Sequence, residues 1–371
     1  MLTALDKNLQ WTTLIRLSDQ EVADLKGCKF YCPECHSPVI IKAGEIKIPH
    51  FAHLSGTDCG GSTEPETSIH MKGKKLLFQH FSSLISTVSL EQYLPSIQQR
   101  PDVYISLKDK SYAVEFQCAA ISSDDFLVRT KGYQNKGIEP VWILGSRINM
   151  KGAGPRISLP HWQQQFIRYS PHAGYWISYL DADKESMLFY YNLTSLSARL
   201  FTSEVIILPL TSVLFPFQLP FKNKKNLQFE VYRNSNDTWI KNKLMYNSGV
   251  NDRFLKALYL NRDHLLSIPD FIGVPTEHTL LFISHPIEWQ YYVWNDGFRK
   301  KSKGSIVRFW ELYNFFLRRM SSGFIRCRSL PLVREEMKVE ALKEYLMILV
   351  KRGIIKEIRN EEYYVTGTHT K

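Results

Sequence analysis

The segment Arg100-Pro101-Asp102-Val103-Tyr104-Ile105-Ser106-Leu107, Lys108-Asp109-Lys110, Ser111-Tyr112-Ala113-Val114-Glu115-Phe116-Gln117-Cys118 contains two β-rich runs joined by a charged turn. That composition predicts a β-hairpin. Folding the chain about Asp109 sets Asp102 almost opposite Glu115. Strand alternation puts Ala113, Glu115 and Gln117 on one face and Val114, Phe116 and Cys118 on the other. Two carboxylates so placed could share one Mg²⁺, a hard cation that prefers carboxylate oxygens and retains water. Such an ion polarises a phosphate and helps generate the attacking hydroxide. Acid, turn and second acid also recur in ordinary hairpins, so the pair alone is only moderately specific.

Upstream, Glu66-Thr67-Ser68-Ile69-His70-Met71-Lys72-Gly73-Lys74 predicts a helix beginning near Pro65, a favoured first-turn residue. Glu66, His70 and Lys74 recur every four residues and lie along one face. They could complete a phosphodiesterase site or form a solvated face. Downstream, Asp124 to Lys136 reads as a helix offering Arg129, Lys131 and Lys136 to phosphates. Glu139-Pro140-Val141-Trp142-Ile143-Leu144-Gly145 then reads as a buried strand. Helix, two strands, helix and strand form an α/β unit.

The amino terminus carries a different chemistry. Four of the six cysteines, Cys28, Cys32, Cys35 and Cys59, fall in the first sixty residues. In a chain with no secretory signal at its start, that crowding suggests metal before disulfide. Cys32-Pro33-Glu34-Cys35 is a C-x₂-C knuckle, and His50-Phe51-Ala52-His53 follows a short predicted hairpin around Ala43-Gly44-Glu45. Cys₃His is a standard structural zinc set, and Cys32, Cys35, His53 and Cys59 fit it best. His50 is the reserve ligand, and Cys28 could also substitute. The bland alternative is a group of reduced thiols with scattered histidines.

The chain has 371 residues and 47 Lys+Arg against 36 Asp+Glu, a net charge of +11. A 44% hydrophobic content argues against wholesale disorder, and the charge points to a polyanion, nucleic acid being the commonest. The most apolar stretch, Glu204 to Phe221, is interrupted by Pro209, Pro216 and Pro220 and reads as buried strands and turns. A cytoplasmic protein without a membrane segment is the expectation. Texture divides the chain into residues 1–62, 63–160 and 161–371, with linkers at Lys151 to Pro155 and Asn295 to Gly304. The last region concentrates Arg299, Lys300, Lys301, Lys303, Arg308, Arg318, Arg319, Arg326 and Arg328 among Phe309, Trp310, Tyr313, Phe315 and Phe316. Cations with aromatic neighbours commonly hold single-stranded DNA; an amphipathic helix gives the same pattern. A helix over 338–351 followed by two short strands suggests a winged helix over 332–371. The predicted class is therefore α/β, with an N-terminal zinc knuckle, a mixed-sheet core and a mainly helical α+β carboxy-terminal region.

Cys32-x₂-Cys35, His50-Phe51-Ala52-His53, Glu66-x₃-His70-x₃-Lys74, Pro101-Asp102-Val103, Glu115-Phe116-Gln117 and Trp142-Ile143-Leu144-Gly145, in that order, resemble the competence protein CoiA family. The resemblance covers roughly residues 25–150. It implies a PD-(D/E)XK nuclease-like core and a role in natural transformation of Gram-positive bacteria. Asp102 and Glu115 then correspond to the metal-binding acids. Gln117 stands where that superfamily usually has lysine, and Lys74 or Lys131 are candidates to replace it. Two functions follow: a Mg²⁺-dependent nuclease acting on incoming or recombining DNA, or an inactive DNA-binding scaffold that recruits a recombinase or branch-migration helicase.

Overall fold

The structure, a computed structural model, describes residues 1–44, 48–57, 59, 67–146, 155–220, 229–246 and 251–367. Packing divides the chain into two units. One comprises Met1–Ala153, Ile177–Tyr190 and Val205–Leu219, and the other comprises Gly154–Trp176, Tyr191–Glu204 and Pro220–Lys371. No helix among the described residues is long and apolar enough to cross a membrane.

The first unit opens with β1 (Thr3–Leu5), β2 (Trp11–Thr13), α1 (Asp19–Leu25), β3 (Phe30–Tyr31), β4 (Pro38–Lys42) and β5 (His50–His53). These strands form an antiparallel sheet in the order β2-β1-β3-β4-β5. A capping box between Ser18 and Glu21 starts α1. The small core holds Ala4, Leu14, Val22, Phe30, Val39 and Phe51 together with Cys32 and Cys59.

The second sheet follows α2 (Ser68–Leu84), whose N-cap is Thr67. Its strands are β6 (Val88–Leu90), β7 (Val103–Ser106) and β8 (Ser111–Gln117), and then α3 (Ser123–Gln134) leads to β9 (Ile138–Gly145). The β7–β8 pair is the expected hairpin, in register from Val103↔Val114 to Ser106↔Ser111. β9 runs parallel to β8, which requires a crossover, and α3 supplies it. Next come β10 (Arg156–Ser158), α4 (His161–Gln164) and β11 (Arg168–Ser170), then β12 (Gly174–Asp181), β13 (Ser186–Ser195) and β14 (Leu200–Pro209). β12 joins β9 in parallel and β13 in antiparallel register. The aromatic residues of β12 and β13 are buried, so they are core rather than a stacking platform.

In the second unit, α5 (Phe229–Tyr246), α6 (Arg253–Leu260), α7 (Pro286–Trp294), β15 (Ile306–Arg308), α8 (Phe309–Ser321) and α9 (Met337–Lys351) precede β16 (Ile355–Arg359) and β17 (Glu362–Val365). The terminal helix and hairpin stand where the sequence puts them, with β15 as a third strand on β17. Every residue of α7 is buried. The linker expected over Asn295 to Gly304 is corrected in its first half: Asn295–Arg299 is a π-helical turn continuing α7, with Asn295, Gly297 and Phe298 buried. Arg328, read from sequence as surface charge, is also corrected. It is 6% exposed, donates to the carbonyls of Leu280, Ala198 and Ser197 and to Gln164 and Ser195, and so acts as an internal tie. The Lys151 to Gly154 part of the other linker lies outside the described residues.

Gly73 explains how α2 lies so close to the sheet. A Cβ there would fall within the ring of Phe116 on β8. Alanine is the better helix former by about 1 kcal/mol, yet overpacking costs about 1–3 kcal/mol. Gly73→Ala is expected to lower stability by about 1–2 kcal/mol in urea denaturation, the opposite sign to helix propensity.

Candidate functional site

Asp102 immediately precedes β7, and extending the hairpin register by one pair sets it opposite Glu115. The two carboxylates nevertheless engage different helices. Asp102 Oδ2 accepts the Phe116 amide at 2.8 Å and lies 3.3 Å from His70 Nε2, while Oδ1 lies 3.7 Å from Lys74 Nζ. Glu115 Oε1 accepts from the Tyr133 hydroxyl at 2.5 Å, and Oε2 pairs with Arg129 at 2.5 Å. His70 and Lys74 come from α2, and Arg129 and Tyr133 come from α3. Sequence spacing alone linked the two acids; the helices on either side of the sheet separate their partners.

Opposite environments push the acids apart. Burial alone would raise Asp102, but the charges of His70 and Lys74, with hydrogen bonds from His70 and Phe116, hold it well below the usual range. Burial raises Glu115, and the Asp102 charge adds to that, outweighing Arg129 and Tyr133. Asp102 is thus the firmly ionised member. Arg129, expected as a phosphate contact, is turned onto Glu115, with its guanidinium over Trp142. Lys131 is exposed. Gln117 Nε2 donates to the carbonyl of Ala119 and so helps close the strand end. Glu66 lies outside the described residues.

A third acid went unnoticed in the sequence. Glu91 pairs with Lys74, both side chains being 1% exposed. Its Oε2 also accepts the amides of Leu2 and Thr3 and the Thr3 hydroxyl, at 2.8–3.0 Å. The Glu91 amide in turn donates to the Asp102 carbonyl, and Glu91 has the left-handed φ of 48°. Burial opposes its charge, but Lys74, the chain's amino terminus and Arg100 hold it well below the usual range. Nothing in the spacing around Leu90-Glu91-Gln92 marks such a role. Arg100 adds a second tie to the amino-terminal sheet, 2.8 Å from Glu34.

The four expected metal ligands converge. Ligand atoms of Cys32, Cys35, His53 and Cys59 all lie within 4.8 Å of one another, a set compatible with structural zinc. Cys35 Sγ is 3.4 Å from His53 Nε2, and Cys32 Sγ is 4.0 Å from Cys59 Sγ. His50, three residues from His53 on β5, instead places Nδ1 2.9 Å from the Ile48 carbonyl, and Cys28 is exposed. Burial opposes the Cys35 thiolate, but hydrogen bonds involving Ser37, His53 and Cys59 lower it to about 6, whereas burial pushes Cys32 up to about 12. This is the only group of three or more His, Cys, Asp or Glu ligands converging among the described residues.

The carboxy-terminal cations divide by their partners. Arg299 bonds Asp263 and the Asn261 carbonyl, Arg308 pairs with Glu362, and Arg319 makes a two-pronged pair with Asp296. Lys300, Lys301, Lys303 and Arg318 are exposed.

Removing one partner of a buried ion pair leaves an uncompensated charge, at about 3–5 kcal/mol. Glu91→Ala is expected to lose about that much in denaturant titration, and Lys74→Met with Glu91→Leu to recover most of it. A loss in the double variant equal to the sum of the two single losses would contradict the pairing.

Three stretches match family models, described as the competence protein CoiA N-terminal domain at residues 14–62, its nuclease-like domain at 66–223 and its C-terminal domain at 227–370. Competence protein CoiA of Bacillus subtilis (strain 168) is 29% identical over 350 residues, 94% of this chain and 92% of that protein. No solved structure matches the chain. A nuclease-like sheet bearing Asp102 and Glu115, a Cys₃His cluster ahead of it and these matches along nearly the whole length lead to one conclusion: the chain belongs to the competence protein CoiA family.

Proposed function

We propose that this chain is a DNA-processing protein of natural transformation, a Mg²⁺-dependent PD-(D/E)XK nuclease acting in the cytoplasm on incoming or recombining DNA. The observation that carries this reading is the cation at Glu115. Position 117 is glutamine, but Arg129 sets a guanidinium 2.5 Å from the Glu115 carboxylate. Positive charge beside the second acid is what a superfamily lysine would supply to the nucleophile and to charge developing on phosphorus. Arg129 fills that role better than Lys74, which is tied to Glu91, or Lys131, which is exposed. The order α2, β6–β8, α3 and β9 supports the superfamily assignment.

Asp102 and Glu115 are the residues that would hold Mg²⁺. Their oxygen donors and the ionised state of Asp102 suit a hard cation. When bound, the ion polarises the phosphate and acidifies a water. Both acids already face protein cations, so they would hold the metal only in competition with Arg129, and weakly. His70 Nε2, on Asp102 Oδ2, is placed to hold or release a proton beside the scissile group, and Lys74 keeps Asp102 ionised.

The same compensation of charge favours a second reading, a scaffold that binds DNA without cutting it and recruits a recombinase or branch-migration helicase. In both readings zinc on Cys32, Cys35, His53 and Cys59 stabilises an amino-terminal sheet with a small core, and α9 with β15–β17 is a winged helix.

A cleavage assay separates these, and a metal analysis tests the zinc role that both share. With Mg²⁺ or Mn²⁺, DNA cleavage by the wild-type chain is expected to vanish in Asp102→Ala and to fall by about 10²–10³ in Arg129→Gln; equal activity in all three chains would remove the nuclease reading. Elemental analysis is expected to find one zinc per chain, lost together with thermal stability in Cys59→Ser, and a fully stable zinc-free chain would remove the structural role.

A further inference from the structure

The π-helical turn Asn295–Arg299 and α8 border an open hollow of about 440 Å³ that the nuclease-like sheet does not account for. Its lining includes Lys300, Lys301, Phe315, Arg318, Arg319 and Phe324. Phe315, Arg318, Arg319 and Ser322 recur at three, four and seven residues and therefore share one face of α8 and its end. A Cβ on Gly297 would fall on Leu312 of α8, so glycine lets the π turn seat against that helix and aims Lys300 and Lys301 at the same hollow. Single π-helical turns are frequent at functional sites.

The charges of the lining are unequal in kind. Asp296, its one acid, accepts from Arg319 through both oxygens, at 2.7 and 2.8 Å, and from Asn295 Nδ2. Arg319 is further held over Tyr292 and Phe324, 4.5 and 4.9 Å from the ring centroids. That pair forms a fixed, neutralised wall. Lys300, Lys301 and Arg318 are exposed, and among the described residues none of these side chains has a hydrogen-bond or ion-pair partner. Three uncompensated cations thus face a concave surface that also presents the ring of Phe315.

We propose that this hollow binds one nucleotide unit of single-stranded DNA, with the phosphate on Lys300, Lys301 and Arg318 and the base against Phe315. The volume lies within the range of small-ligand sites. Cations on the backbone and an aromatic face on the base are the two elements of strand-holding sites. An acidic peptide would use the cations but has no use for the ring. The assignment rests on the DNA-handling reading above and is independent of cleavage.

The test is fluorescence anisotropy of the full chain with a labelled 20-nucleotide oligothymidylate, without added divalent cation, over a series of salt concentrations. The triple variant Lys300→Gln, Lys301→Gln, Arg318→Gln is expected to bind about 10- to 100-fold more weakly, with its log–log salt slope reduced by about 2. Phe315→Leu is expected to weaken binding several-fold without changing that slope. Thermal midpoints equal to wild type show that the variants are folded. Wild-type affinity and slope in the triple variant, or no binding by wild type at low salt, would overturn the proposal. So would loss in the triple variant with none in Phe315→Leu and full displacement of the strand by polyglutamate, which would identify an acidic polypeptide instead. A chain that binds through these residues yet never cuts DNA removes the nuclease reading and leaves this site standing.

Discussion

The buried ammonium of Lys74 organises the first unit. It sits at 1% exposure between Glu91 and Asp102, and a lone charge in that position would be prohibitively costly. Glu91 compensates it and, with its remaining oxygen, holds the amides of Leu2 and Thr3. One carboxylate therefore ties the amino-terminal sheet, α2 and the turn after β6 together. The other acid, Asp102, is kept ionised by the same lysine at the mouth of the β7–β8 hairpin. Fold and candidate site share a single electrostatic foundation.

From that foundation the two acids diverge. Cross-strand register makes Asp102 and Glu115 neighbours, and each raises the cost of charge on the other. The sheet resolves the conflict by giving each acid its own helix: His70 and Lys74 from α2 for Asp102, Arg129 and Tyr133 from α3 for Glu115. The result is one firmly ionised carboxylate and one held toward neutrality, a division common where protons or metal-bound water must be handled. Position 117 is glutamine, and the cation beside Glu115 comes from α3 instead.

The metal cluster shows how a small sheet is completed. The core around Val39 and Phe51 is modest, and the four ligands come from the C-x₂-C turn, β5 and the segment beyond it. A metal ion closing those three segments would substitute for apolar area that the segment lacks. The second unit takes the other route, with α7 buried along its full length and Arg328 satisfied by five internal acceptors.

Local pattern was enough for the β7–β8 hairpin, the crossover helix, the terminal helix and hairpin, and the C-x₂-C ligand set, because each depends on spacing within a few residues. It offered His53 with His50 in reserve, and the fold separates them: His53 Nε2 lies 3.4 Å from Cys35 Sγ, whereas His50 Nδ1 lies 2.9 Å from the Ile48 carbonyl. Partnership across the fold was not legible. Glu91 sits in an unremarkable run, Arg129 looks like any solvated helix cation, and Arg328 reads as part of a basic tail. Each is defined by groups tens of residues away in sequence. By itself the sequence marked the hairpin, the crossover and terminal elements, the two acids and the Cys/His cluster, whose signals are periodicity and residue chemistry. Only the tertiary structure decided which charges neutralise one another and which, like Lys300, Lys301 and Arg318, remain available, because burial and ion pairing are properties of neighbours in space.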